Sequence, residues 1–297
     1  MSSKVSVSYF GKPRSVTRAE LQATEVVECP LCDLAPDPFA VDYQGFQLCR
    51  CRQCGLEFVS PRLAFEELAE KIYTDLYFSS RGSTAQLNDS HKHQFSLQLE
   101  SYSRQLGGTG KILDIGCGDG SFLKYARELG WEIFGVDIAL SPDAHALHCP
   151  LWEGRLQEID FGLTQFDMIR FNHVLEHTQD PPAELSRARE LLGPGGIIHV
   201  SVPNMAGLSP VLKSLQSRLR LKRHRWRHYA AMHHLFFFSP ETLRMVIERA
   251  GLQVLYWETP LLKKNGQHTL VERLYRRLLE RPQRGSILDF YSKNVVS

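Results

Sequence analysis

Residues 106–297 predict a doubly wound α/β fold, and three observations carry that prediction. Lys111-Ile112-Leu113-Asp114-Ile115 is an apolar strand that breaks into the glycine-rich turn Gly116-Cys117-Gly118-Asp119-Gly120. Phe122, Ala126 and Leu129 then recur at helical spacing, with Gly130 as a C-terminal stop. A second strand, Glu132 to Val136, ends in the carboxylate of Asp137. Strand, glycine turn, helix and acid-terminated strand make one nucleoside-binding half of such a sheet, with the acid placed to accept from ribose hydroxyls.

The spacing selects the nucleoside. A dinucleotide loop reads G-x-G-x-x-G and faces a pyrophosphate. Here the pattern is G-x-G-x-G, preceded by Asp114 inside the strand. A carboxylate at that place repels a pyrophosphate and suits a cationic amino-acid group. These residues resemble motif I of the class I S-adenosylmethionine (SAM) methyltransferases. The resemblance implies SAM as cofactor, held by Asp114, Gly116, Cys117, Gly118 and Gly120, with Asp137 as the ribose acid and Ile138 beside it.

The later elements extend the resemblance. Pro142 and Pro150 abbreviate the third crossover, and Leu151 to Gly154 is the expected third strand. Arg155-Leu156-Gln157 follows where this fold holds adenine, which brings Leu156 to the cofactor. Phe166 to Asn172 is the fourth strand and runs into His173-Val174-Leu175-Glu176-His177. Asp180 is placed to cap a helix with Pro181 at its first position, carrying Leu185, Ala188 and Leu192 inward as far as Gly193-Pro194-Gly195-Gly196. Gly196 to Pro203 is the fifth strand. The run from Phe166 through "HVLEH", "LLGPGG" and "SVPN" resembles the SAM-methyltransferase group that includes ubiquinone-type O-methyltransferases. It implies a seven-stranded Rossmann-like methyltransferase sheet, with Leu252 to Thr259 as sixth strand and Ser286 to Ser292 as an antiparallel seventh. Asn172 and His173 then stand near the sulfonium.

Four histidines are candidate bases for deprotonating an acceptor: His173, His177, His233 and His234. The family resemblance also allows a divalent ion near Glu176 and His177. His173-x-x-Glu176-His177 has a rival reading as an inverted zinc-protease motif, which requires both histidines on one face of a helix.

Two C-x2-C pairs, Cys29/Cys32 and Cys51/Cys54, are separated by 18 residues that include a strand-like stretch from Phe39 to Leu48. That spacing predicts a zinc ribbon with structural Zn²⁺ held by four thiolates, leaving no open catalytic position. Cys49 shares a strand face with Cys51, but Cys51 matches the first pair in spacing. A module this small draws its folding energy from the metal.

The expected organisation is a leader (1–28), the ribbon (29–62), a helical linker or cap (63–105) and the methyltransferase domain (106–297) with a basic lid at 205–234. In the cap, Tyr77 or Tyr73 either packs a helix onto the sheet or closes the cofactor pocket. In the lid, Arg218, Arg220, Lys222, Arg223, Arg225 and Arg227 crowd around Trp226. They form either a solvated face or a lid for an anionic small-molecule acceptor, such as a phosphate-bearing sugar or a lipid-linked intermediate. Ser239 caps the next helix, which carries Leu243, Val246, Ile247 and Ala250 inward. Leu270 to Arg281 reads as a basic amphipathic helix.

Composition narrows the classes. Hydrophobic residues at 43% and charged residues at 23% are ordinary for a globular chain, and a net charge of +2 gives no global pull toward nucleic acid. No apolar run approaches the roughly 18 residues of a membrane span. Met1 to Arg14 lack a secretory apolar core, and seven cysteines are too few for a disulfide scaffold, so a reducing cytoplasm is the expected home. The expected reaction is methyl transfer to a hydroxyl of a small molecule or glycan precursor. The alternatives are an RNA methyltransferase reading RNA through ribbon and lid, and a SAM-binding scaffold without turnover.

Overall fold

The computed structural model describes residues 4–6, 15–17, 24–71, 89–259 and 284–295. Tyr73, Tyr77 and the expected helix from Leu270 to Arg281 lie outside them. Short strands β1 (Lys4–Ser6) and β2 (Ser15–Thr17) pair antiparallel, and β3 (Thr24–Glu25) joins β7 (Arg62–Leu63). A four-stranded sheet contains β4 (Asp37–Val41), β5 (Gln47–Arg50), β6 (Glu57–Val59) and β13 (Phe236–Phe237). The seven-stranded sheet follows the order β10 (Leu151–Glu153), β9 (Glu132–Asp137), β8 (Lys111–Ile115), β11 (Phe166–Asn172), β12 (Leu192–Pro203), β15 (Ile287–Asn294) and β14 (Leu252–Glu258).

The chain divides into two compact units, and the first comprises 1–24, 63–171 and 190–198. Its strands β10, β9, β8 and β11 pair in parallel, with Leu113 opposite both Phe134 and Ile169. Ile112, Leu113, Ile133, Val136, Met168 and Ile169 are all buried, as the continuous apolar runs of a parallel sheet require. Helices α1 (Phe65–Lys71), α2 (Asp89–Leu106), α3 (Ser121–Glu128) and the short α4 (Pro142–His145) complete the unit. Helix α3 buries Phe122, Leu123 and Ala126. Leu129, expected inside, is 46% exposed, because the helix ends at Glu128 and Gly130 turns the chain at φ 87°.

The second unit comprises 25–62, 172–189 and 199–297. Strands β4 and β5 form the expected hairpin, with β6 beside β5. Leu48 of β5 and Val59 of β6 pack with Trp226, Tyr229, Ala231 and Phe237 in one buried cluster. The insertion is therefore no freely solvated run. Its aromatic residues are core, whereas Arg218, Arg220, Lys222, Arg223, Arg225 and Arg227 remain exposed. Helix α5 (Pro181–Glu190) starts where expected: Asp180 Oδ1 accepts from Ala183 N at 3.0 Å. It stops before Leu192, which opens β12 instead of closing the helix. Helix α6 (Leu208–Arg218) follows β12, and α7 (Pro240–Arg249) carries a full capping box between Ser239 and Thr242. Leu243, Val246 and Ile247 are buried, and β14 pairs antiparallel with β15.

Candidate active site

Within the first unit the glycine loop is fixed by hydrogen bonds to β9. Gly118 N donates to Asp137 Oδ2 at 2.7 Å, and Ala139 N to Oδ1 at 3.3 Å. Gly116 N and Cys117 N both donate to Val136 O. At Gly120, which sits at φ 73° at the start of α3, a Cβ would fall 2.6 Å from Leu147 Cδ1, so only glycine fits. Burial raises the Asp137 carboxyl to about 6, against the pull of the Gly118 N–H. A carboxylate offers about four lone-pair sites, and the Gly118 and Ala139 N–H groups use two, which leaves acceptor capacity for a sugar edge.

Asp114 is buried and its Oδ1 lies 2.7 Å from Arg170 Nη1. Arg170 stands opposite Asp114 in the parallel register of β8 and β11. Its guanidinium also donates to Gln98 Oε1 at 3.2 Å and lies 3.8 Å from the Phe122 ring centroid. Sequence reasoning missed Arg170, although a charge in the middle of Met168-Ile169-Arg170-Phe171 was the available signal. Asp114 thus meets an internal cation before any ligand. Cys117 is buried and its thiol is pushed far up by burial and by Asp137. Leu156 is buried in a 3-10 turn, and Ile138 is half-buried directly after Asp137.

In the second unit, Asn172 closes β11 and His173 follows at φ 56°. That left-handed backbone is costly for a residue with a Cβ, and such strain concentrates at functional sites. His173 N donates to Ser201 O at 2.8 Å, and Nδ1 lies 3.4 Å from the buried Glu176 Oε1. His177 Nδ1 donates to His233 O at 2.8 Å. His177 stacks on His233 at 5.5 Å and meets His234 edge-on at 4.7 Å. Burial, aided by His177, pushes His233 down to about 3 and His234 well below its ordinary value. The four candidate bases therefore gather in one region but differ in kind. The His173 side chain is 45% exposed, His177 only 18%, and His233 and His234 are buried. Glu176, His177 and His234 bring one donor atom each within 4.8 Å of one another. Leu175–His177 form a single 3-10 turn, so the helix required by the protease reading is missing here.

Cys29, Cys32, Cys51 and Cys54 bring their sulfurs within 4.8 Å of one another, with Cys29 Sγ 3.6 Å from Cys54 Sγ. Four converging thiols match the tetrahedral donor set of structural zinc. Burial pushes Cys29 up to about 11. At Cys51 the backbone N–H groups of Cys54 and Gln53 outweigh burial and bring the thiol down to about 7. Cys49 stands apart, with its sulfur facing Ser60 O at 3.4 Å and Gln47 Nε2 at 3.6 Å.

Comparison with known proteins agrees with the fold. A methyltransferase-domain family model matches residues 86–256. The ubiquinone biosynthesis O-methyltransferase of Dinoroseobacter shibae is 33% identical over 160 residues, which cover 48% of this chain and 60% of that relative. The mitochondrial enzyme of that name from Homo sapiens is 27% identical over 161 residues, covering 48% of this chain and 42% of the relative. Among solved structures, the 1,6-didemethyltoxoflavin-N1-methyltransferase of Burkholderia thailandensis, bound to 1,6-didemethyltoxoflavin and S-adenosylhomocysteine, aligns with a TM-score of 0.54. It covers 88% of this chain and 100% of its own at 17% identity, a likeness of fold. With more than half of its length matched by the family model, this chain belongs to the methyltransferase-domain family of class I SAM-dependent methyltransferases.

Proposed function

We propose that this chain transfers the methyl group of SAM to a hydroxyl of a small molecule. The single observation that carries the reading is the Gly116–Gly120 loop strapped to Asp137 at the end of β9. Asp137, with Ile138 beside it, takes the ribose, and Leu156 walls the adenine. Asp114 acts through its Arg170 pair, holding the strand under the loop. Asn172 and His173 line the methyl face.

The sulfonium is already an activated electrophile, so alignment and exclusion of water carry most of the acceleration. The acceptor oxygen attacks the methyl carbon as the carbon–sulfur bond breaks, releasing S-adenosylhomocysteine. The hydroxyl proton passes to His173 Nε2, while Glu176 faces Nδ1 and steadies the imidazolium that forms. His233 and His234 are desolvated and shape the wall instead. Apart from Arg218, the exposed basic residues of the insertion, Arg220, Lys222, Arg223, Arg225 and Arg227, favour an acceptor with a negative group, in the manner of a phosphate-bearing or lipid-linked intermediate. The four-cysteine cluster holds structural zinc, and the free thiols suit a reducing cytoplasm.

A second reading concerns Glu176, His177 and His234, whose convergence is a donor set for a divalent ion. Such an ion would lower the pKa of an acceptor hydroxyl. The test of the function is S-adenosylhomocysteine release from SAM with a panel of hydroxylated aromatic and glycan acceptors. Acceptor-dependent release that falls in the His173→Gln variant supports the reading. SAM binding without release on any acceptor would favour the scaffold alternative.

A further inference from the structure

In the second unit a cavity of about 500 Å³ opens between the cysteine module and the insertion after β12. That volume lies within the roughly 300–1,000 Å³ of small-molecule pockets. None of its lining residues belongs to the glycine loop, to Asp137 or to the histidine group around Glu176. The proposed reaction gives it no role.

Its walls are mainly aromatic. Phe39 meets Trp226 edge-on with centroids 5.9 Å apart, and Tyr229 is tilted against Phe39 at 6.2 Å. Trp226 is buried at φ 61°, a strained backbone for a bulky residue, and its indole N–H has no acceptor among the described residues.

The charges are unequal. Glu57 is fully engaged, since Arg50 holds Oε1 and the Tyr229 hydroxyl donates to Oε2 at 2.8 Å. That pair cancels. Arg218, in the last turn of α6, also lines the cavity and has no carboxylate partner among the described residues. None is near in sequence either, because residues 191–240 contain no Asp or Glu. One guanidinium is therefore left over, facing an aromatic chamber.

We propose that this cavity is a second ligand site, taking a small molecule with an aromatic body and a single anionic group. The rings of Phe39, Trp226 and Tyr229 receive the body and Arg218 pairs with the anion. A polyanion would bring charges that one arginine cannot match.

The test is calorimetric titration of the full chain with 2-naphthoate and with its neutral counterpart, naphthalene-2-carboxamide. The expected result is naphthoate binding that is about tenfold tighter than carboxamide binding, the scale of one charge-assisted contact. Arg218→Gln should remove that advantage, leaving carboxamide binding and SAM affinity unchanged. Trp226→Phe should weaken both ligands by removing part of the aromatic wall. Should the buried Trp226→Phe variant fail to fold, the exposed Arg218 decides alone. The proposal is overturned if naphthoate does not bind, if the two ligands bind alike, or if Arg218→Gln leaves naphthoate affinity unchanged. Because the readout is binding, its failure says nothing against methyl transfer.

Discussion

Arg170 Nη1 and Asp114 Oδ1 meet at 2.7 Å on neighbouring parallel strands, with both side chains out of solvent. Removing one partner of a buried pair leaves an uncompensated charge and costs roughly 3–5 kcal/mol, whereas replacing both by apolar groups can be neutral. Arg170→Met should therefore lose about that much stability in urea unfolding, and Asp114→Leu/Arg170→Met should recover at least half of it. A single variant as stable as the parent contradicts the pairing.

Asp137 is expected to trade stability for binding. Burial raises its carboxyl from 3.8 to about 6 in the folded chain. Between those values the folded chain holds a proton that the unfolded chain has released, so this group's contribution to stability falls as pH rises through that window. Asp137→Asn keeps an acceptor for Gly118 N and removes the buried charge. It should raise the midpoint of thermal unfolding at pH 7.5 and leave it unchanged near pH 3.5. It should also bind SAM about tenfold more weakly, since an amide oxygen accepts less strongly than a carboxylate. A variant destabilised at pH 7.5 sinks the desolvation argument.

The cysteine module predicts a sharp contrast. Cys32→Ser should release the single zinc equivalent, read by metal analysis, and lower the thermal midpoint. Cys49→Ser should keep the zinc, because its sulfur faces Ser60 O and Gln47 and stands outside the cluster. Parent protein purified without zinc, and unable to bind it, contradicts the site.

The histidines are separated by kinetics and stability. His173→Gln should lower kcat by about 10²-fold or more, with SAM affinity nearly unchanged. His233 is pushed to about 3 by burial and stays neutral over any working range. His233→Gln should therefore keep most of kcat and lose stability instead. A His173→Gln variant that keeps the parent kcat removes that residue as the base.

Much of this was legible in the sequence because its causes are local. The apolar run Lys111 to Ile115, the glycines after it and the acid at 137 fix strand, turn and loop within one βαβ unit. Asp180 before Pro181, and Ser239 three residues before Thr242, announce helix starts by capping chemistry alone. The C-x2-C spacing favours Cys51 over Cys49, and the two pairs bring their four sulfurs together. What stayed hidden depends on contacts between distant segments. Asp114 and Arg170 are 56 positions apart, and the Tyr229 bond to Glu57 spans 172. The left-handed backbone of His173 has no local signature, and the Ser201 carbonyl that accepts from its N–H is distant in sequence. Leu192 reads as helical by spacing but belongs to β12, where the sheet claims the chain two residues after Glu190.

The most direct test of the central claim is calorimetric titration of the purified chain and its Asp137→Ala variant with SAM, using NAD as control. The account predicts micromolar SAM binding by the parent, none with NAD, and at least about a tenfold loss in the variant without unfolding. Equal SAM affinity in parent and variant, or NAD binding in place of SAM, would contradict it.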